Sequence, residues 1–307
     1  MSKELWVEKY RPKTVGEYVF RDAQQKRQVE TWIKDKSIPH LLLSGGAGIG
    51  KTTLAKVLLH ELGIEEFDVL HLNASRDNST ETVRDKITNF VQMIPFGPFK
   101  VVLLDEADYL SPNAQAALRG VMEEYSQTAR FILTCNYPNR IIPAIHSRCQ
   151  GFHVEKVDQT EYTARVATIL IEEDIEFDLD ILDTFVKAAY PDLRKCINLV
   201  QQCVTDKKLH SPEAGDAGES DWKIDMVRLF KSKKIQEARK LICAKAKPEE
   251  IEDVFRWLYD NPELFGSDDD SMDSAVIIIK QGLVDHALIA DPEINLSATL
   301  IKLARLQ

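Results

Sequence analysis

The 307-residue chain has no apolar run approaching the roughly 20 residues that a membrane-spanning helix needs. Its longest such stretch, "AVIII" at 275–279, suits a buried helix or strand. The opening segment, "MSKELWVEKYRPK", lacks the apolar core of a secretory signal, so a cytosol-like compartment is expected. Cysteine is scarce. Its five positions, Cys135, Cys149, Cys196, Cys203 and Cys243, are odd in number, scattered and never in C-x₂-C spacing, which excludes a disulfide framework and a paired zinc site and leaves free buried thiols. Basic residues are outnumbered, 39 to 49, and the resulting net charge of −10 argues against coating nucleic acid by bulk attraction. A few positioned Lys and Arg side chains can still meet phosphates. There is no internal repeat or low-complexity tract, and glycine and proline are too few for a collagen-like or disordered chain.

What is present is a change of pattern near residue 158. Before it, "HLLLS" (40–44), "DVLHL" (68–72), "KVVLLD" (100–105) and "RFILTC" (130–135) read as buried strands. Between them lie helix-period segments: Leu54, Val57, Leu58 and Leu62 after Lys51; Val83, Ile87 and Val91 in 80–93; and a helix opened by Ser111-Pro112. Strands alternating with helices predict a parallel sheet covered on both faces. After it, "DQTEYTARVATILIEED", "DLDILDTFVKAAY" and "DLRKCINLVQQCVTDKK" read as three helices, the first two opened by Asp caps. Residues 209–221 are polar and rich in Gly, Pro and Ser, a linker pattern. Residues 222–307 are helical again, interrupted by "NPELFGSDDDSMD", whose acids read as a solvated loop. The expected division is an α/β nucleotide domain at 1–157, a helical lid at 158–208, a linker at 209–221 and an all-α domain at 222–307.

Residues 45–52, "GGAGIGKT", fit G-x-x-x-x-G-K-[ST] between a predicted strand and a predicted helix, the context a phosphate-binding loop requires. Gly45, Gly48 and Gly50 let backbone N–H groups turn toward phosphate, with Ile49 and Thr53 in the same turn. Lys51 would reach the β/γ-phosphates and Thr52 would offer a hydroxyl to Mg²⁺. Asp105 and Glu106 end a buried strand where open α/β sheets bind ligands. There Asp105 would hold Mg²⁺ and Glu106 would act as general base toward the attacking water, although two acids in this place could instead cap the next helix.

Six segments, in order, carry a family resemblance: "WVEKYRPKTVGEYV", "IPHLLLSGGAGIGKTTLAKVL", "LNASRDNSTETVRDKI", "VVLLDEADYLSPNAQAALRGVMEEYS", "RFILTCNYPNRIIPAIHSRCQGF" and "YPDLRKCINLVQQC". Together they resemble the AAA+ ATPase subunits of sliding-clamp loaders, of the replication factor C small-subunit type. The resemblance covers residues 5 to about 205 well and the rest in length and helical character. It implies ATP and Mg²⁺ as ligands, and as partners a pentameric ring of sibling subunits, the sliding clamp and primer–template DNA, with no membrane. It also assigns roles: Val7, Glu8, Lys9, Tyr10 and Val19 at the adenine, and Asn136 as the sensor orienting the attacking water. Arg148, in "SRC", becomes the arginine finger for a neighbour's ATP, and Arg194, in "PDLRK", the second sensor at the γ-phosphate. Arg84, Lys86 and Arg119 fall at positions that track the DNA backbone. Each of these cations could otherwise be an ordinary surface charge.

The chain departs from the family pattern at Gly46-Ala47, where prolines are usual, at Asn78, where an arginine is common, and at Gly120, where a second arginine is common. The length and the "PDLRK" form lean toward the phage type. Three alternatives are distinguishable. A DEAD-box helicase fits Asp105-Glu106-Ala107-Asp108 and Ser297-Ala298-Thr299 by letters but needs a second α/β domain. An initiator-type AAA+ ATPase would carry a helix-turn-helix after the lid, and a scaffold subunit would have lost catalytic residues that stand here.

Overall fold

The computed structural model describes residues 4–210, 222–246, 250–266, 268–286, 288 and 291–306, leaving aside the side chains of Thr82 and Arg84. The described residues form two compact units, one of residues 4–175 and 190–202, the other of 176–189 and 203 onward.

In the first unit the chain runs α1 (Trp6–Lys9), α2 (Ala23–Lys34), β1 (Leu41–Ser44), α3 (Lys51–Glu61) and β2 (Val69–Asn73). There follow α4 (Thr80–Thr82), a π-helical turn (Val83–Ile87), α5 (Thr88–Gln92), β3 (Lys100–Asp105), α6 (Pro112–Glu124), β4 (Ala129–Cys135), α7 (Pro143–His146) and β5 (Gln150–His153). All the pairings are parallel, in the order β2-β3-β4-β1-β5. The four expected strands form within a residue or two of their predicted bounds. Their continuous apolar character follows from burial on both faces: Leu41, Leu43 and Leu103 pack with Leu54 and Leu58 of α3, while Leu42, Val102 and Leu104 pack with Val83, Leu118 and Met122 on the other side.

Because β4 lies between β1 and β3, the chain crosses over and leaves a switch point above them. The C-terminal ends of β1 and β3 thus face one crevice. Ser111 caps α6 by accepting from Ala114 N, with Pro112 at the first helical position, a cap contributing about 1 kcal/mol. Asp158 does the same for α8 (Gln159–Glu172), and Asp192 accepts from Lys195 N at the start of α10 (Leu193–Gln202).

Four expectations are corrected. The helix expected over 80–93 contains the π turn at Val83–Ile87, which inserts one residue yet keeps Val83, Ile87 and Val91 buried. The third lid helix stops at Gln202, and Val204–Thr205 pair with Lys208–Leu209 as an antiparallel hairpin, β6 and β7, turning through Asp206 and Lys207 at φ 50° and 59°. Leu209 is therefore strand, and the linker expectation at 211–221 lies outside the described residues. The three lid helices do not stand as one unit: α8 and α10 belong to the first, while α9 (Leu179–Ala189) belongs to the second, where Trp257 Nε1 donates to Lys187 O and Lys231 meets Asp183. Finally, the acidic run at 268–270 opens a helix, with Asp268 accepting from Ser271 N and Oγ and Asp269 and Asp270 in its first turn, where the helix dipole favours carboxylates.

The second unit continues through α11 (Trp222–Lys231), α12 (Ile235–Lys245), α13 (Ile251–Asp260), α14 (Asp269–His286) and α15 (Pro292–Leu303) around Phe230, Phe255 and Phe265. Ser297-Ala298-Thr299 lies within α15, and no second parallel sheet occurs among the described residues. No described helix is long and apolar enough to cross a membrane.

Candidate nucleotide site

The turn from β1 into α3 adopts backbone angles that only glycine takes easily, with φ of +146°, +70° and +96° at Gly45, Gly48 and Gly50. A Cβ on Gly45 would stand 2.2 Å from Val154 O, and one on Gly48 would stand 2.0 Å from the Asp192 carboxylate. Lys51, 8% exposed at the first position of α3, sends Nζ back into the loop, where it donates to Gly45 O (2.9 Å), Gly46 O and Asn136 Oδ1 (2.7 Å). Burial pulls its pKa below the ordinary lysine value against the opposing pull of Cys135, Asp105 and Asp108. Asn136 follows β4 directly, so the sheet order itself brings this amide beside Lys51.

Asp105, the last residue of β3, accepts through Oδ1 from Thr52 Oγ1 (2.7 Å) and from Thr134 Oγ1. Thr134 Oγ1 in turn accepts from Glu106 N (3.0 Å). That chain fixes the backbone of Glu106 in the left-handed region, φ 56° and ψ 43°, a conformation costing a non-glycine residue about 1–2 kcal/mol. Its carboxylate, half-buried, makes no hydrogen bond among the described residues. Asp108 is buried; Oδ2 accepts from Tyr137 N (3.2 Å) and Oδ1 finds no partner among the described residues. Gln115 of α6, also buried, donates to Leu110 O and Arg140 O and accepts from Ile142 N, tying the segment after Asp105 to the segment after Asn136.

Beside the loop lies a cleft lined by Val7, Tyr10, Tyr18, Val19, Gly48, Ile49, Gly50, Thr53, Val157, Tyr162, Leu193, Arg194 and Ile197. Mostly apolar walls opening onto backbone N–H groups suit a purine base joined to phosphates. The expected adenine-side residues divide. Val7, Tyr10 and Val19 line the cleft, whereas the side chains of Glu8 and Lys9 turn to other partners, Glu8 to Arg11 and Lys9 to Glu173 at 2.6 Å. Tyr10 OH also donates to Glu173, and Trp6 N to Gln201 Oε1, so α1 is held against α8 and α10. Arg194, exposed and without an ion pair among the described residues, sits near enough to Lys51 to weaken its hold on a proton.

Arg148 stands elsewhere. It precedes β5 by two residues and shares a surface hollow with Asp35, His40, Ser126 and Arg130, at the N-terminal edge of the sheet. Its guanidinium donates to Ala144 O (2.7 Å) and pairs with Glu123 of α6. Lys86 pairs with Asp77 at 2.6 Å, and Arg119 projects from α6 exposed and without a partner among the described residues. The side chain of Arg84 lies outside the described set.

The residues present fit the ligands the sequence implies. The loop is a cradle that any Cβ at Gly45 or Gly48 would fill, and the Thr52 hydroxyl and Asp105 carboxylate are the hard oxygen donors a magnesium ion takes. Sequence reading missed Thr134, Asp108, Gln115, Tyr18 and Tyr162. Thr134 had a signal: a polar residue inside the apolar run "RFILTC".

Residues 41–155 match the family of ATPases associated with various cellular activities, AAA. The chain is 35% identical to the replication factor C small subunit of Sulfurisphaera tokodaii over 98% of its own length and 95% of that relative. It is 42% identical to the same subunit of Thermofilum pendens over 66% of the chain and 63% of the relative. Among solved structures, the Thermotoga maritima RuvB branch-migration motor superposes at a TM-score of 0.56 over 76% of this chain and 79% of that one, at 17% identity, a likeness of fold. With a relative this similar along nearly its whole length, the chain belongs to the replication factor C small-subunit family of AAA ATPases.

Proposed function

We propose that the chain is an ATPase subunit of a sliding-clamp loader: ATP binding gathers subunits into a spiral that holds an open clamp, and hydrolysis at primer–template DNA lets the clamp go. The position of Arg148 carries this reading. The phosphate loop leaves β1 at its C-terminal end, while Arg148 lies beside the residues that begin β1, β4 and β5. Four residues of extended strand span about 13 Å, so an arginine anchored at the far edge serves a neighbour's nucleotide better than its own. Arg194, which lines the chain's own cleft, would serve the local γ-phosphate.

Within the site, Lys51 would exchange the carbonyl oxygens of Gly45 and Gly46 for phosphate oxygens. Asn136 would orient a water against the γ-phosphorus and Glu106 would accept its proton, as the new O–P bond forms and the bond to the β-phosphate oxygen breaks. Magnesium, held by Thr52 and Asp105, would neutralise charge on the β- and γ-phosphates. Lys86 and Arg119 are the basic groups proposed to meet DNA phosphates, together with Arg84, two positions before Lys86. The helices of 222–307 are the proposed assembly collar.

For the clamp, an apolar knob offers the docking face: Phe67, Met93, Ile94 and Phe96 are 78%, 58%, 88% and 83% exposed, and the rings of Phe67 and Phe96 lie 6.2 Å apart. Large side chains so exposed and so close together mark a surface that a partner covers. The test is ATPase activity of the chain alone, with sibling subunits, and with clamp and primed DNA. A low rate alone that rises on assembly and again with clamp and DNA is expected; a rate indifferent to all three contradicts the reading.

A further inference from the structure

Beneath the apolar knob lies an ion pair, Asp68 with Lys100, whose side chains are 0% and 3% exposed. Asp68 directly precedes β2 and Lys100 opens β3, and since Val69 pairs with Val101 the two residues face each other across adjacent strand starts. Every polar atom of the pair is used. Asp68 Oδ1 accepts from Lys100 Nζ (2.9 Å) and Phe96 N (3.1 Å), and Oδ2 accepts from Gly97 N (2.7 Å). Lys100 Nζ also donates to Phe67 O (3.2 Å) and lies 4.8 Å from the ring centre of Phe90 and 5.9 Å from that of Phe96. Burial alone would raise the Asp68 pKa; the bonds from Gly97 N, Lys100 and Phe96 N together outweigh it and hold the carboxyl below its ordinary range.

Burying two charges is expensive, and a hydrophobic pair of similar volume would stabilise a fold as well or better. The bonds of this pair go to the backbone of Phe67, Phe96 and Gly97, the residues that present the knob. Pro95 and Pro98 further restrict the segment between α5 and β3. A docking loop already held in one conformation loses less entropy on association.

We propose that Asp68 and Lys100 are positioning residues for partner docking, a buried clasp that sets Phe67 and Phe96 in the conformation the clamp engages. This rests on the reading of the knob as the clamp-docking face. The test uses the full chain and the sliding clamp from the same genome, with two readouts: clamp affinity, and hydrogen exchange at the amides of Phe96 and Gly97. Asp68→Asn should speed exchange at both amides and weaken clamp binding about tenfold while leaving ATP affinity unchanged. The double variant Asp68→Leu with Lys100→Met should restore thermal stability through apolar packing yet leave clamp binding weak, because the amides still lack their acceptor. Recovery of clamp affinity along with stability in the double variant would overturn the proposal, as would slow exchange at Phe96 and Gly97 in Asp68→Asn. If Phe96→Ala leaves clamp binding intact, the docking reading fails instead, and the exchange measurement still decides whether the clasp holds the loop.

Discussion

At the C-terminal edge of the parallel sheet, Lys51 donates to Asn136 while Thr52 and Thr134 both donate to Asp105, so the polar side chains there meet one another. At the N-terminal edge, Arg148, Phe67 and Phe96 sit at the surface, the first tethered to an exposed glutamate and the other two largely bare. One sheet thus carries two kinds of chemistry. Converging strand ends and a switch point make the first edge a place where one chain can assemble a catalytic set by itself. The second edge, on the reading proposed, holds groups whose ligands would come from other molecules. If the proposed function holds, each edge can be broken without the other.

The largest effect is expected from Arg148→Ala, which should lower the ATPase rate of the assembled complex by about 10³-fold. ATP affinity of the isolated chain, measured by calorimetry, should not change, since Arg148 is absent from its own cleft. Next, Glu106→Gln should cut kcat by about 10²–10⁴-fold while ATP still binds and assembly, followed by light scattering, proceeds. Phe96→Ala should leave the clamp-free rate alone and raise the Kd for the clamp by about thirtyfold, the loss typical of an interface hot spot.

The smallest effect concerns pH. His40, at the N-terminal edge, accepts through Nδ1 from Phe131 N, and burial pulls its pKa from 6.5 down to about 4, with Arg130 adding repulsion. The unfolded chain therefore takes up a proton near pH 6.5 that the folded chain refuses until about pH 4. Stability from this residue is complete above 6.5 and falls as pH drops through that window, by at most about 2 kcal/mol at pH 5. Denaturation midpoints at pH 7 and 5, for the native chain and His40→Gln, read the difference; the variant should lose less on acidification.

Much of this was legible in the sequence because burial on both faces of a sheet leaves unbroken apolar runs, and a phosphate loop needs its glycines at fixed spacing. β5 was not legible: of Gln150–His153 only Phe152 is buried, as fits a short edge strand. Nor was the hairpin of β6 and β7, whose turn uses Asp206 and Lys207 where asparagine and glycine would have announced it. Lys51, Thr52 and Asp105 could be named from motif and strand alone. Asn136 came only through resemblance, since nothing in its neighbours marks an amide that the strand order carries to Lys51 across 85 residues. The aromatic walls from Tyr18 and Tyr162 belong to segments far apart in sequence, and no local pattern marks them.

The central claim is that the catalytic set at one edge is completed by the other edge of a neighbour. Mixing Arg148→Ala subunits with Glu106→Gln subunits tests it directly, in assemblies where each variant alone is inactive. The account predicts that ATPase activity returns on mixing, because an intact Glu106 site can then meet an intact Arg148 from the adjacent chain. Activity that stays absent in the mixture, or an Arg148→Ala assembly as active as the native one, would contradict it.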